Sequence, residues 1–118
     1  MNNYSKISLS ENGRTELHDA LSLTGAEISV NSLPAGASVP FVHVHRQNEE
    51  IYAVLEGKGK AEIDGESIEI KAGDWVRIAP KAKRRFFAAG DEGIKYICIQ
   101  VKENSLGGYS MADAEIAQ

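Results

Sequence analysis

Short runs of Val, Ile and aromatic residues, broken every few positions by Gly, Pro, Asp or Asn, predict an all-β domain. The 118-residue length and 42% hydrophobic composition leave room for one core and little for a second. Hairpin signals follow one another so regularly that a closed barrel or a jelly roll of two packed sheets is favoured over an open sheet with bare edges.

Residues 1–25 read as an N-terminal strand or arm, in which Tyr4, Ile7 and Leu9 could form an edge strand and residues 17–23 are ambiguous. Residues 27–33 alternate and should form a strand ending at Pro34-Ala35-Gly36. The next strand is expected over residues 39–45, with Pro40 consistent with an edge position. Residues 46–49 then serve as a hairpin connection back to Glu50.

Gly57 and Gly59 flank an expected break. Beyond it, residues 60–63 and 66–70 enclose Asp64-Gly65, a strong two-residue hairpin signal whose register puts Ala61, Ile63, Ile68 and Ile70 on one core-facing side. Ala72-Gly73-Asp74 marks a turn, residues 75–78 a strand and Ala79-Pro80 a boundary. Residues 83–88 and 94–101 read as a strand pair around the loop at residues 90–93. Trp75, Phe86, Phe87 and Tyr96 are assigned to core or rim packing. The segment 102–118 is a tail that either forms a short helical turn near residues 111–116 or docks on the barrel.

Composition excludes several functions. A net charge of −4 and one short basic run, at Lys81, Lys83, Arg84 and Arg85, give no nucleic-acid-binding module. No secretory leader pattern and no apolar run of membrane-spanning length occurs, so the expected location is the cytoplasm, with no membrane partner. The single cysteine, Cys98, cannot form an internal disulfide and reads as a small buried hydrophobe. Three histidines with no second cysteine rule out a thiolate zinc cluster.

Chemistry concentrates at His43, His45 and Glu50. In the expected hairpin His45 faces Glu50 and His43 faces Tyr52, and side chains two apart share a strand face, so all four would enter one cavity. Two neutral imidazoles and a carboxylate offer nitrogen and oxygen ligands and leave positions for water or substrate. On the competing reading, the histidines are satisfied by hydrogen bonds and Glu50 pairs with Arg85. Gln100 lines the cavity only if its strand face is inward.

These residues carry a resemblance to a single-domain cupin, of the cupin type 2 kind. Gly36, His43, His45, Glu50 and Gly57 match the first family motif, with six residues between Gly36 and His43 where the usual pattern has five. The second motif is divergent: Gly73 and Pro80 fit with one extra spacer residue, and Ala82 replaces a glycine. Arg85 occupies the place of the third metal-binding histidine, and Ala89 that of an asparagine. The resemblance covers residues 26–101, the expected cupin core, and implies a small cupin-type jelly roll or double-stranded β-helix barrel.

It also implies that His43, His45 and Glu50 bind a divalent metal, with Fe, Mn, Zn and Ni all compatible. The expected partner is a small organic ligand, anionic or oxygen-rich. Arg85 would clamp its oxygens through paired donors, and Tyr52 would donate a hydrogen bond or a proton, or merely line the barrel. Oxygenase or isomerase chemistry, a non-enzymatic binding or sensor module, and a structural dimer with an inactive pocket all remain open. A homodimer is expected, since β edges or the tail can bury surface between subunits.

Overall fold

The computed structural model describes residues 3–9, 13–109 and 113–117. Among them the chain forms β1 (Arg14–Glu16), α1 (His18–Leu21), β2 (Glu27–Leu33), β3 (Asn48–Ile63), β4 (Glu66–Lys71), β5 (Trp75–Ile78), β6 (Arg84–Ala88) and β7 (Ile94–Lys102). All pairings are antiparallel. No helix among the described residues is long and apolar enough to cross a membrane.

β3 organises the barrel. Its first half lies between β7 and β5 in a sheet that continues through β2 to β1, and its second half lies between β4 and β6. The break expected around Gly57 and Gly59 is therefore absent: one 16-residue strand runs through both positions and passes from one sheet to the other. Glycine is needed there because other backbone comes close. A Cβ on Gly57, which has φ of 78°, would collide with the Gly93 carbonyl, and one on Gly59 with the Phe87 carbonyl. A register shift between Val54 and Glu56 adds a bulge where the strand turns.

The hairpin around Asp64-Gly65 forms as expected. Ala61 pairs with Ile68, and Asp64 (φ 50°) and Gly65 (φ 85°) both have the positive φ that a tight I′-type turn needs. Asp64 ties this tip to the start of β6 by accepting the Lys83 N–H at 2.8 Å. Ala61 and Ile70 are buried, with Ile63 and Ile68 packed against them.

Three other expectations are corrected. β6 and β7 do not pair with each other; the loop between them crosses from one sheet to the other, because each strand finds its partner in a different half of β3. The N-terminal edge strand is Arg14–Glu16, whereas Tyr4, Ile7 and Leu9 lie outside any strand. Residues 39–45 form no regular strand, and the hairpin to Glu50 does not exist. That segment instead runs beside β6: the Val39 N–H donates to the Phe86 carbonyl, and His43 and Arg84 exchange backbone hydrogen bonds, both at 3.1 Å. Pro40, Phe41 and Val42 are looped out between these contacts, since Pro40 lacks an N–H for the ladder.

Inside, Tyr52, Phe86 and Tyr96 stack with ring centroids 4.1 Å apart (Tyr52–Phe86) and 5.3 Å apart (Phe86–Tyr96), filling the barrel with Val54, Ile78 and Ile94. Trp75 is 69% exposed on the outer face, so it is not a core residue, and Phe87 lies half-buried beneath Lys60 and Arg85. In the tail, Met111 falls outside the described residues, and residues 113–117 are exposed.

The backbone approach at Gly59 should make that position intolerant of a methyl group. Gly59→Ala is expected to lower unfolding free energy by about 2–3 kcal/mol, through forced movement of packed backbone. Gly36→Ala should cost only about 1–2 kcal/mol, because its positive φ is unfavourable but open space surrounds it. Urea unfolding of both variants measures the difference.

Candidate metal centre

The imidazoles reach the barrel interior by a route other than the expected hairpin. Opposed residues in an antiparallel pair share a face, so the bridge between His43 and Arg84 turns His43 the same way as inward-facing Arg84. His45 follows two residues later and is anchored by its N–H to the Pro80 carbonyl at 2.8 Å. Glu50 enters from β3, opposite Ile78 on one side and Gln100 on the other. His43, His45 and Glu50 thus converge from two strands' worth of chain, each with a donor atom within 4.8 Å of the others.

Glu50 is 2% exposed and heavily bonded. Its Oε1 accepts the Tyr52 hydroxyl at 2.6 Å and Arg84 Nη1 at 2.8 Å, and its Oε2 accepts the Cys98 thiol at 3.3 Å. Burial alone would raise the carboxyl's pKa, but the Tyr52 and Arg84 hydrogen bonds, nearby His45 and the Cys98 thiol outweigh it, so the group is held below the ordinary carboxylate range. It is a carboxylate at neutral pH.

The histidines are different. His43 Nδ1 and His45 Nε2 are buried and have no hydrogen-bond partner among the described residues. His45 Nε2 does lie 3.0 Å from Glu50 Oε2, yet the oxygen is not in line with a ring N–H, so proximity here is not a formed hydrogen bond. Burial lowers the His43 pKa; Glu50 opposes this in part, while His45, Arg84 and Arg14 reinforce it, keeping the imidazole neutral with its lone pair available. Two orphaned buried nitrogens beside an ionised oxygen are what a divalent ion would satisfy. The residues present fit a metal.

The guanidinium at the centre belongs to Arg84. It is fully buried, and besides Glu50 it donates to the carbonyls of Ala79, Pro80 and Ala82, at 2.6–3.1 Å. Arg85, assigned to the cavity from motif spacing, sits on the opposite face of β6, where alternation puts it outside. Its Nε donates to the Val39 carbonyl at 2.8 Å, its Nη2 to Ser38 Oγ at 3.1 Å, and its guanidinium covers the Phe87 ring. The ion pair with Glu50 that the sequence reading gave to Arg85 is made by Arg84.

Tyr52 does share the Glu50 face, but its hydroxyl is committed to Glu50 and its ring to the aromatic stack. Burial, followed by the neighbouring Cys98 and Glu50, pushes its pKa far above that of an ordinary phenol, so it serves as a hydrogen-bond donor. Cys98 is buried as expected, but it is also a polar neighbour of the site; burial first, then Glu50, pushes its thiol up to about 12. No local sequence signal marked that place: the register that pairs Tyr52 with Cys98 across β3 and β7 sets it. Gln100 stands opposite Glu50 and accepts a 3.3 Å hydrogen bond from Asn48. His18 is exposed, with Nδ1 2.8 Å from Asp19 Oδ1.

Residues 29–100 match the Cupin_2 family, the cupin domain. The chain is a cupin. It is 35% identical over 86 residues to a Methanocaldococcus jannaschii chain named Uncharacterized protein MJ1618, covering 73% of this chain and 64% of that one. The cupin thus spans under two thirds of that relative's length. A cupin protein from Bacteroides fragilis is 59% identical and superposes over 100% of both chains with a TM-score of 0.97. A predicted oxalate decarboxylase from Thermotoga maritima is 27% identical, covers 64% of each chain and gives a TM-score of 0.60. The small all-β cupin barrel and a family in which metal sites are common are therefore shown, together with a His-His-Glu group able to hold an ion.

Two outcomes follow from these contacts. Arg84→Met leaves a buried carboxylate without its partner and should cost about 3–5 kcal/mol in urea unfolding, with much of this recovered in the Glu50→Gln/Arg84→Met double variant. Arg85→Met should cost about 1 kcal/mol. As for pH, a carboxyl depressed in the fold adds stability above its ordinary value of 4.5 that is lost as pH falls through its folded value. His43 acts in the same sense, because below 6.5 the unfolded chain takes up that proton first. The urea midpoint of metal-free protein should therefore fall steadily as pH is lowered from 7 to 4.

Proposed function

We propose that this cupin binds one divalent metal ion through His43, His45 and Glu50, and that the bound ion receives a small anionic or oxygen-rich organic ligand. The observation that carries the reading is the pair of buried, unpartnered imidazole nitrogens beside the Glu50 carboxylate. A protein that buried such atoms without any partner would lose about 1–3 kcal/mol for each, a cost that metal ligation removes.

A divalent ion would supply Lewis acidity and a seat for oxygen ligands. The chain's own residues would hold and orient it. Arg84 and Tyr52 fix the Glu50 carboxylate, while the bridge to β6 and the bond to the Pro80 carbonyl anchor the backbone that carries His43 and His45. The aromatic stack of Tyr52, Phe86 and Tyr96 fills the barrel beneath, so a ligand would arrive from the outer side, near exposed Phe41, Val42 and Val44. Iron, manganese, zinc and nickel all suit a two-nitrogen, one-oxygen donor set.

A second reading, a binding or sensor module without turnover, is favoured by one observation. Tyr52 and Arg84, polar side chains beside Glu50, direct the hydrogen bonds they make among the described residues to Glu50 and to backbone carbonyls, as a structural support does. Chemical change in a candidate ligand incubated with metal-loaded protein would favour the enzyme; binding with no change would favour the sensor.

Elemental analysis tests the metal site. Protein purified without a metal-affinity resin should carry about one divalent ion per chain after incubation with the ion and desalting. The His43→Ala/His45→Ala variant, with circular dichroism matching the parent, should carry essentially none. Equal and negligible metal in both would overturn the proposal.

A further inference from the structure

Glu50 is the single carboxylate in the three-residue group, and its charge is already matched. Arg84 Nη1 bonds Oε1 at 2.8 Å, and the rest of that guanidinium is held by the carbonyls of Ala79, Pro80 and Ala82, so it cannot swing away when an ion enters. The two histidines bring no negative charge. A divalent ion would thus bring two positive charges into a largely enclosed place where the fixed charges already cancel.

Such a charge is costly in a poorly solvated site, and neutral imidazoles reduce that cost only in part. With Oε1 taken by Tyr52 and Arg84, Glu50 offers Oε2 alone to an ion. Three protein donor atoms leave positions for exogenous ligands, and an anion there would provide the missing counter-charge.

We infer that Arg84, by cancelling the charge of Glu50, makes this centre a joint site for a divalent metal and a small dianion such as a dicarboxylate, each binding tightly only when the other is present. This rests on the metal-site reading above and adds to it a ligand charge and a residue that sets it. Arg84 is a positioning residue: it acts through Glu50 and touches neither ion.

Isothermal titration of Mn2+ into metal-free protein, with and without malonate, tests the coupling once free ion is corrected for the Mn2+–malonate complex in solution. Malonate should tighten Mn2+ binding by about tenfold or more, and by reciprocity Mn2+ should tighten malonate binding by the same factor. Acetate and 1,3-propanediol, matching a single carboxylate and an uncharged pair of oxygens, should do much less. Arg84→Gln should bind Mn2+ alone more tightly than the parent and show a smaller malonate effect, whereas Arg84→Lys should keep the effect. Should either variant fail to fold, the reciprocal titrations on the unaltered chain still decide. Binding of Mn2+ with less than about a twofold malonate effect would overturn the inference and leave the metal site standing. Failure to bind Mn2+ with or without malonate would overturn both.

Discussion

The Arg84–Glu50 pair is the constraint from which the site's order follows. Two opposite charges buried together gain little net stability over an apolar packing of equal volume, because each has lost its water. What the pair supplies is orientation. Arg84 crosslinks β6, the turn at residues 79–82 and β3 through one planar group, and Glu50 has one oxygen fixed and the other beside the imidazoles. A lysine would lack the fork that reaches a carboxylate and three carbonyls at once.

Around this pair the barrel separates two kinds of interior. Tyr52, Phe86 and Tyr96 make a close-packed aromatic column whose burial drives closure. Next to it lies a polar group in which Tyr52 takes part in both, by ring and by hydroxyl. β3 connects them because it is long enough to serve both sheets, and its glycines let β6 and β7 approach closely at the crossing. The unpartnered nitrogens of His43 and His45 therefore sit on a rigid support, as a binding site requires if its geometry is to hold before the ion arrives.

Much of this was legible because it depends on local rules. Alternation marked residues 27–33 as a strand, turn residues bounded the strands at 75–78 and 94–101, and Asp64-Gly65 marked its hairpin, since turn chemistry and a two-residue period are properties of neighbouring residues. The trio His43, His45 and Glu50 was also visible, although the hairpin expected to unite it does not form. The spacing of two between the histidines survives that error, because it gives a shared face whichever strand the segment runs beside. Arg85 shows the limit: counting along a divergent motif reached the wrong neighbour in a strand where one step reverses the side chain's direction.

By itself, then, the sequence determined the all-β class, the family resemblance, most strand positions and the identity of the three donor side chains. The tertiary structure alone decided that residues 39–45 lie along β6, that β3 passes unbroken through two glycines, and that Arg84 and Cys98 join Glu50. The physical reason is that these facts depend on which distant backbone supplies each hydrogen-bond partner. A strand's sequence records its own alternation, but the partner that turns a given face inward is chosen by the closure of the whole barrel.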